Sequence, residues 1–230
     1  MIRLSVSELE AFRYWKANED ATLDELVARL TKKDPPTPQM LAGAALAELF
    51  EHASPRSVDA WRSKGWSFRF MIDEERFVLP SVRELKGEMV FETPSGPVTL
   101  VGKVDGLDGL TVYDQKLTET FDAERYLDSL QWRSYLLMFG AKKFVYDAFV
   151  GKYDRDPGHT DDSGNYVKGP IRMPPDGLVT ITEYHPLPFY AYPDMRADVE
   201  AAVRELAAVV VAYDIPKTMA ATAVEEGVSP

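Results

Sequence analysis

Cysteine is absent from the 230 residues of the sequence. Disulfides, zinc sites with thiolate ligands and cysteine-ligated iron–sulfur clusters are therefore excluded. The sequence also lacks an apolar run of the length that a transmembrane helix needs. Its first fifteen residues lack the basic start and the long apolar centre of a signal peptide. We therefore expect a cytoplasmic protein without a membrane partner.

The sequence also has fewer basic than acidic residues. The chain has 26 Lys and Arg against 37 Asp and Glu, which gives a formal net charge of -11. This balance argues against a broad basic surface that grips a polyanion, and it suits a site that collects divalent cations. Seven basic residues could line a local groove beside Trp61 and Trp66, or could be scattered surface charge: Lys32, Lys33, Arg62, Lys64, Arg69, Lys142 and Lys143.

Hydrophobic patterning predicts helices first and strands later. Ser7 to Glu10 and Thr22 to Glu25 have capping-box spacing, and a third helix is expected from Pro38 to about Ala53. Period-2 patterns begin near Trp66, and further helices are expected over about 123–139 and 194–213. The order of elements predicts a mixed α/β fold with a central mixed sheet flanked by helices.

We expect one domain over residues 1–230. Residues 151–177 are polar and rich in Gly, Pro and Asp, which predicts a long loop between two strands. Residues 218–230 are expected to form a flexible tail.

One predicted hairpin, GKVDGLDGLTVYDQKLT over residues 102–118, carries charges that a hydrophobic hairpin does not need. If Asp108-Gly109 is a two-residue turn, Asp105 lies opposite Val112. Asp105, Asp114 and Lys116 then share one face, and the two carboxylates are diagonal neighbours with Cβ atoms roughly 7 Å apart. Carboxylates at that separation can close on one hard cation. The alternative is an ordinary surface Asp–Lys pair, which contributes little to stability.

The sequence resembles the PD-(D/E)XK nuclease superfamily, and within it the RecB-like and phage exonuclease branch. Four stretches carry the likeness in the right order: LSVSELEAFRYW at residues 4–15, GAALAELFE at 43–51, the 102–118 hairpin and QWRSY at 131–135. The chain departs from the branch at Ala47, where a metal-binding histidine is common. It also lacks the cysteines that bind an iron–sulfur cluster in some relatives, so no cluster is implied.

The resemblance implies a restriction-endonuclease-like core and hydrolysis of phosphodiester bonds in DNA with Mg²⁺ or Mn²⁺. The implied catalytic residues are Asp105, Asp114, Lys116 and Gln131. The implied metal ligands are Asp105, Asp114, the backbone carbonyl of Gln115 and one helix acid, Glu48 or alternatively Glu51. The implied substrate-binding residues are Lys103, Ser7 and Tyr135, although Tyr135 could simply pack.

We expect an exonuclease of phage or bacterial DNA recombination, repair or end processing, acting in the cytoplasm of a bacterium or a phage-infected host. The alternatives are an endonuclease of the same fold and a relative that binds nucleic acid or protein without cleaving. Beyond DNA, the implied partners are a recombination or single-strand-binding protein and further copies of the chain.

Overall fold

The computed structural model describes residues 1–31, 35–54, 61–73, 77 and 79–216. Lys32, Lys33 and the predicted tail at 218–230 lie outside the described residues. The chain divides into two compact units, and the single domain expected over 1–230 stays a prediction. The first unit comprises Met1–Asp34, Gly87–Gly102 and Pro193–Pro230, and the second comprises Pro35–Lys86 and Lys103–Tyr192. Within the described ranges, no helix combines the length and apolar character that spanning a membrane requires.

The first unit is built from three helices and strand segments. The helices are α1 (Val6–Ala17), α2 (Leu23–Leu30) and α6 (Met195–Ala212), and the strands are β1 (Ile2–Ser5), the later part of β4 (Val82–Thr93) and the first half of β5 (Gly96–Asp108). β1 runs parallel to β5, with Ile2 beside Val98. α6 buries one apolar stripe, formed by Val199, Val203, Leu206 and Val210.

Helix caps explain where the first two helices begin. Thr22 and Glu25 form the predicted capping box of α2. In α1 the box is formed by Ser5 and Glu8, not by Ser7 and Glu10. Ser5 ends β1 with an extended backbone, so its side chain and not that of Ser7 reaches the free backbone N–H groups of the first turn.

A mixed sheet forms the base of the second unit. Its helices are α3 (Pro38–His52), α4 (Glu124–Leu127) and α5 (Leu130–Phe139). Its further strands are β2 (Arg62–Ser63), β3 (Trp66–Phe70), β6 (Thr111–Thr118), β7 (Lys143–Tyr153) and β10 (Leu178–Tyr190). The strand order is β5–β6–β7–β10–β3–β2. β6–β7 and β10–β3 are parallel and the other pairs are antiparallel, so the predicted mixed sheet is confirmed.

Helices cover both faces of this sheet. On β7, Tyr146 and Phe149 point to opposite faces because they are an odd number of residues apart. Phe149 contacts Phe50 of α3, with ring centroids 5.1 Å apart. Tyr146 contacts Gln131 of α5 through its hydroxyl. The α3 face is the larger hydrophobic core, and the α5 face carries the polar residues of the predicted site.

Two predicted segments differ in detail. The helix expected over 123–139 is interrupted between α4 and α5, where Ser129 caps the second helix through its hydroxyl. The loop expected over 151–177 begins later, because β7 extends to Tyr153. It also contains a short hairpin, β8 (His159–Thr160) with β9 (Tyr166–Val167), so it is not wholly irregular.

Candidate active site

The β5–β6 hairpin has a different turn from the predicted one. Asp108 pairs with Thr111 and Leu107 pairs with Val112, so Gly109 and Leu110 form the turn. Gly109 has φ +55°, a left-handed conformation that glycine adopts without steric cost. The predicted pairing of Asp105 with Val112 is therefore wrong.

The corrected register preserves the face on which the charges lie. The pairing moves by two residues, and side chains two apart on a strand share a face. The pairing extends to Gly106 and Tyr113, and beyond it Oδ2 of Asp105 accepts a hydrogen bond from the backbone N–H of Gln115, next to Asp114. The two carboxylates interact electrostatically, and each is also within the field of Lys116.

Asp114 lies in the interior of the sheet, because β6 is paired on both sides. Its side chain is 3 % exposed. The amide Nε2 of Gln131 donates a hydrogen bond to Oδ1 at 2.8 Å, and the ammonium of Lys116 forms an ion pair with Oδ2. Burial raises the pKa of Asp114 above its ordinary value, and the charge of Lys116 opposes that rise.

Asp105 occupies the strand that faces Asp114. Its Oδ2 accepts a hydrogen bond of 2.7 Å from the backbone N–H of Gln115. Burial, followed by the negative charge of Asp114, raises the pKa of Asp105 to about 7. Lys116 and the Gln115 N–H act in the opposite direction. The pair therefore holds a proton near neutral pH unless a further positive charge enters.

A close contact fixes the backbone beside Asp105. A Cβ atom at Gly106 would lie 2.2 Å from Cγ of Pro80, so only glycine fits there without a shift. Gly106 thereby lets the segment before β4 pack directly on the hairpin.

Lys116 completes the charged face. Its side chain is 33 % exposed, and its ammonium lies 5.8 Å from the ring centroid of Tyr146. Burial lowers the pKa of Lys116, but Asp114 and Asp105 raise it by more, so the net direction is upward. Lys116 is therefore a permanent cation at the edge of the site.

α5 positions Gln131 by a hydrogen-bonded chain. The hydroxyl of Tyr146 donates to Oε1 of Gln131 at 3.3 Å and lies 2.9 Å from the hydroxyl of Ser129. Oε1 is thus occupied, which orients the NH₂ group of Gln131 toward Asp114. Tyr135, four residues further on, is buried and donates its hydroxyl to the carbonyl of Lys103 at 2.9 Å. That geometry agrees with the packing alternative for Tyr135.

The two helix acids of α3 have different surroundings. Glu48 accepts a 2.6 Å hydrogen bond from the hydroxyl of Ser63 and lies 3.7 Å from Nζ of Lys64. The Ser63 hydrogen bond is the main reason that the pKa of Glu48 is lowered. Glu51 is exposed. Its negative charge helps to raise the pKa of Lys103, to which Glu84 makes the larger contribution.

Two carboxylates beside the site were not predicted. Glu84 forms an ion pair with Lys103, and its charge adds to the raised pKa of Asp105. Its φ of +55° is uncommon for a residue with a side chain. Asp147 is 1 % exposed and accepts a 2.6 Å hydrogen bond from Tyr184. A lone acid within the apolar run of β7 was the only sequence signal for Asp147.

Asp147 belongs to the α3 face of the sheet. It is in register with Gln115, whereas Tyr146 is in register with Asp114. Burial raises the pKa of Asp147 to about 7; Tyr184 lowers it, and Asp114 and Asp105 raise it further.

The predicted residues thus fall into three groups. Asp105, Asp114, Lys116 and Gln131 lie together, Gln115 joins them through its backbone, and Lys103 contacts them through Glu84 and Tyr135. Ser7 belongs to the first unit, on α1, where its hydroxyl lies 3.0 Å from that of Ser5, and its role stays a prediction. The helix ligand, Glu48 or Glu51, is also still a prediction.

The carboxylates of Asp105 and Asp114 supply part of the ligand set that a hard divalent cation needs. In the described part of the chain, no group of three or more His, Asp or Glu side chains is arranged to hold a metal ion. Asp105 and Asp114 supply carboxylate oxygens from adjacent strands, which Mg²⁺ and Mn²⁺ prefer. Mg²⁺ commonly takes only one or two carboxylates and keeps water or phosphate oxygens for its other positions. The two aspartates therefore fit such an ion.

Comparison with solved structures supports the fold. A candidate exonuclease from Eubacterium rectale superposes with a TM-score of 0.52 at 11% sequence identity, covering 92% of this chain and 81% of the other. An alkaline exonuclease from Laribacter hongkongensis superposes with a TM-score of 0.44 at 16% identity, covering 92% of this chain and 90% of the other. No protein-family model matches the chain, and no curated protein matches it. The likeness to the Eubacterium rectale structure, at the level of the fold, agrees with the expected mixed α/β architecture with a central mixed sheet.

Proposed function

We propose that the chain is a metal-dependent nuclease that hydrolyses phosphodiester bonds in DNA. The observation that carries the proposal is the arrangement of Asp105, Asp114 and Lys116 on one hairpin face, with Asp114 held by Gln131. Burying the carboxylate of Asp114 and partly burying Asp105 and Lys116 costs stability, and replacing buried charged groups by apolar residues is often neutral or favourable. A catalytic role accounts for their presence where stability does not.

Asp105 and Asp114 would hold Mg²⁺ or Mn²⁺, together with the carbonyl of Gln115. Such an ion supplies Lewis-acid activation of water and neutralises charge on the attacked phosphate. Glu51 is the better candidate for the helix ligand, because Glu48 is already engaged by Ser63 and Lys64. Among the described residues no hydrogen bond or ion pair engages the carboxylate of Glu51, and its charge acts on Lys103, two residues before Asp105.

Lys116 would act on the reacting atoms. Gln131 would maintain the geometry of the site. The exposed part of Lys116 can donate hydrogen bonds to an attacking water or to a phosphate oxygen, and its charge stabilises the negative charge that develops there. Gln131 is a positioning residue. Its amide group fixes one oxygen of Asp114 and leaves the other directed toward Lys116.

Exonuclease activity is the first choice for the reaction. The exonuclease description of the Eubacterium rectale neighbour supports it, although that likeness is one of fold. An endonuclease of the same fold is the second choice. A relative that binds without cleaving is disfavoured, because a binding protein has no chemical need for Asp105, Lys116 and Gln131 gathered around the buried carboxylate of Asp114. A role in recombination or repair, a protein partner and self-association are parts of the same proposal.

A nuclease assay on the full chain tests this proposal. End-labelled linear and closed circular DNA, single- and double-stranded, are incubated with Mg²⁺, with Mn²⁺ and with EDTA. We expect metal-dependent loss of linear DNA only, and no loss with Lys116→Ala. Lys168→Ala is the matched control, because Lys168 is an exposed lysine far along the chain from the hairpin. Cleavage that persists in Lys116→Ala, or absence of cleavage in every condition, would reject the proposal.

A further inference from the structure

The edge of the second unit's sheet presents a patch of cationic and aromatic side chains. Trp61, Arg62, Lys64 and Arg69 are all exposed, on or beside β2 and β3, and we call them the β2–β3 edge patch. β2 is the outermost strand of that sheet. The patch collects three cations within nine residues of a chain whose net charge is -11.

The charges of this patch are weakly neutralised. Arg62 donates from Nε to the neutral hydroxyl of Ser67 at 3.0 Å. Within the described ranges, Arg69 has no ion pair. Lys64 lies 3.7 Å from Glu48, with about half of its side chain exposed. Elsewhere the basic side chains commonly have acidic partners, such as Glu119 for Arg155 and two aspartates for Arg172. The two arginines of the patch are therefore available to an anionic ligand.

Two cavities meet at Arg62. One, of about 500 Å³, is lined by Trp61, Arg62 and Arg69 among others. The other, of about 340 Å³, is lined by Arg62, Ser63 and Lys64 beside the end of α3. Each cation of the patch therefore lines at least one of two shallow cavities at the sheet edge.

Trp61 adds a planar apolar surface to this path. Its side chain is 41 % exposed, and its ring lies against Phe70 with centroids 5.0 Å apart. Trp61 thus contacts Phe70 and also lines the cavity that Arg62 and Arg69 border. An unpaired base stacks on such a ring, whereas the bases of a duplex are already stacked on one another.

We propose that the β2–β3 edge patch binds single-stranded DNA, with Arg62 and Arg69 contacting phosphates and Trp61 stacking on a base. The inference rests on the proposed nuclease function, because it assigns a substrate form to that activity. Single-stranded DNA offers both phosphates for the arginines and unpaired bases for the indole, and Trp61, Arg62 and Arg69 line one cavity. An acidic peptide offers the anions but has no need of the exposed indole.

Binding in EDTA tests the patch without cleavage. Fluorescence anisotropy of a labelled oligothymidylate of about 12 nucleotides, within the range of ordinary single-strand sites, gives affinity as a function of salt. For the Arg62→Ala/Arg69→Ala variant we expect the slope of log K against log salt to shrink by about 1.4, since each single-strand phosphate contact contributes about 0.7. The control is Arg29→Ala/Lys168→Ala, which removes the same charge from exposed positions.

Trp61→Ala should weaken binding by roughly 5- to 150-fold with little change in the salt slope, as removal of one stacking platform does. Trp61→Phe, which keeps a ring against Phe70, should retain most of the affinity and separates loss of stacking from misfolding. A melting temperature for each variant accompanies the titrations. Duplex DNA and polyglutamate serve as competitors, and both should compete poorly.

Three results would overturn the inference. The first is equal affinity and salt slope in the patch variants and the control. The second is competition by polyglutamate as strong as that of the oligonucleotide, which would identify an acidic protein segment as the ligand. The third is an unchanged affinity in Trp61→Ala. A protein that binds through the patch but never cleaves would refute the proposed function alone, and one that cleaves while the patch variants bind normally would refute the patch alone.

Discussion

Replacing the buried carboxyl of Asp147 by an amide should make the protein more stable above neutral pH. Asp147 is 1 % exposed, and its pKa is raised from 3.8 to about 7, first by burial and then by the nearby aspartates. Tyr184 donates its hydroxyl to Oδ1, and the amide oxygen of an asparagine can accept the same hydrogen bond. Asp147→Asn therefore mimics the protonated carboxyl in size and in hydrogen bonding, without its ability to ionise.

The direction in which stability changes with pH follows from the pKa of Asp147 in the folded and unfolded states. The folded protein keeps the Asp147 proton up to about pH 7, whereas the unfolded chain releases it near pH 4. The stabilising effect of protonated Asp147 is fully present below pH 4 and is lost as the pH rises through 7. A difference of about three pKa units corresponds to about 4 kcal/mol, which is an upper limit because water can reach an ionised group as the structure relaxes.

Urea unfolding of the metal-free protein in EDTA, from pH 4 to pH 8.5, measures this effect. We expect equal stability of wild type and Asp147→Asn at pH 4, and a gain for the variant of at least about 1 kcal/mol at pH 8, within that upper limit. Asp176→Asn, at an exposed loop position, is the control and should follow the wild type at every pH. If Asp147→Asn were no more stable than wild type at pH 8, the carboxyl would not be held protonated and the reasoning would fail.

Four further predictions concern the hairpin and its supports. Lys116→Ala should reduce the rate of DNA cleavage at least 100-fold, comparable to loss of one preorganised donor, with an unchanged circular dichroism spectrum. Gln131→Ala removes the amide donor of a buried carboxylate and should destabilise the fold by about 1–3 kcal/mol in urea titrations. Gly106→Ala sets a Cβ atom 2.2 Å from Pro80, so its melting temperature should fall, and an unchanged melting temperature would contradict that close contact. Because the pKa of Asp105 is about 7, Mn²⁺ affinity measured by calorimetry should rise with pH up to about 7 and then level off, and a flat profile would argue against Asp105 as a ligand.

Local patterns predicted most of the individual elements. The capping box at Thr22 and the helix from Pro38 were both recoverable, because caps and proline positions act within a few residues. Hairpin register was less accessible. Asp108-Gly109 and Gly109-Leu110 both put glycine in the turn, and only the complete pairing of β5 with β6 distinguishes them.

The parts of the site that could not be predicted from the sequence depend on contacts between segments that are distant along the chain. The face shared by Asp105 and Asp114 survived the error in register, because the shift was by two residues. Asp147 comes near the site through the parallel pairing of β6 with β7, and Glu84 through its ion pair with Lys103. No local sequence pattern predicts either contact. The orientation of Glu48 toward Ser63 likewise depends on where β2 lies beside α3.

The hairpin also has a consequence for the order in which the site is assembled during folding. Asp105, Asp114 and Lys116 all come from one stretch between residues 105 and 116, so bringing them together closes only a short loop and costs little chain entropy. Hairpins form within about 1–10 μs, much faster than sheets built from distant strands. We therefore expect the charged groups to meet before the parallel pairing with β7 buries them, while water still solvates each one. The free-energy cost of burying these charges then arises in the later, cooperative step. In that step α5 also packs and brings Gln131 to Asp114.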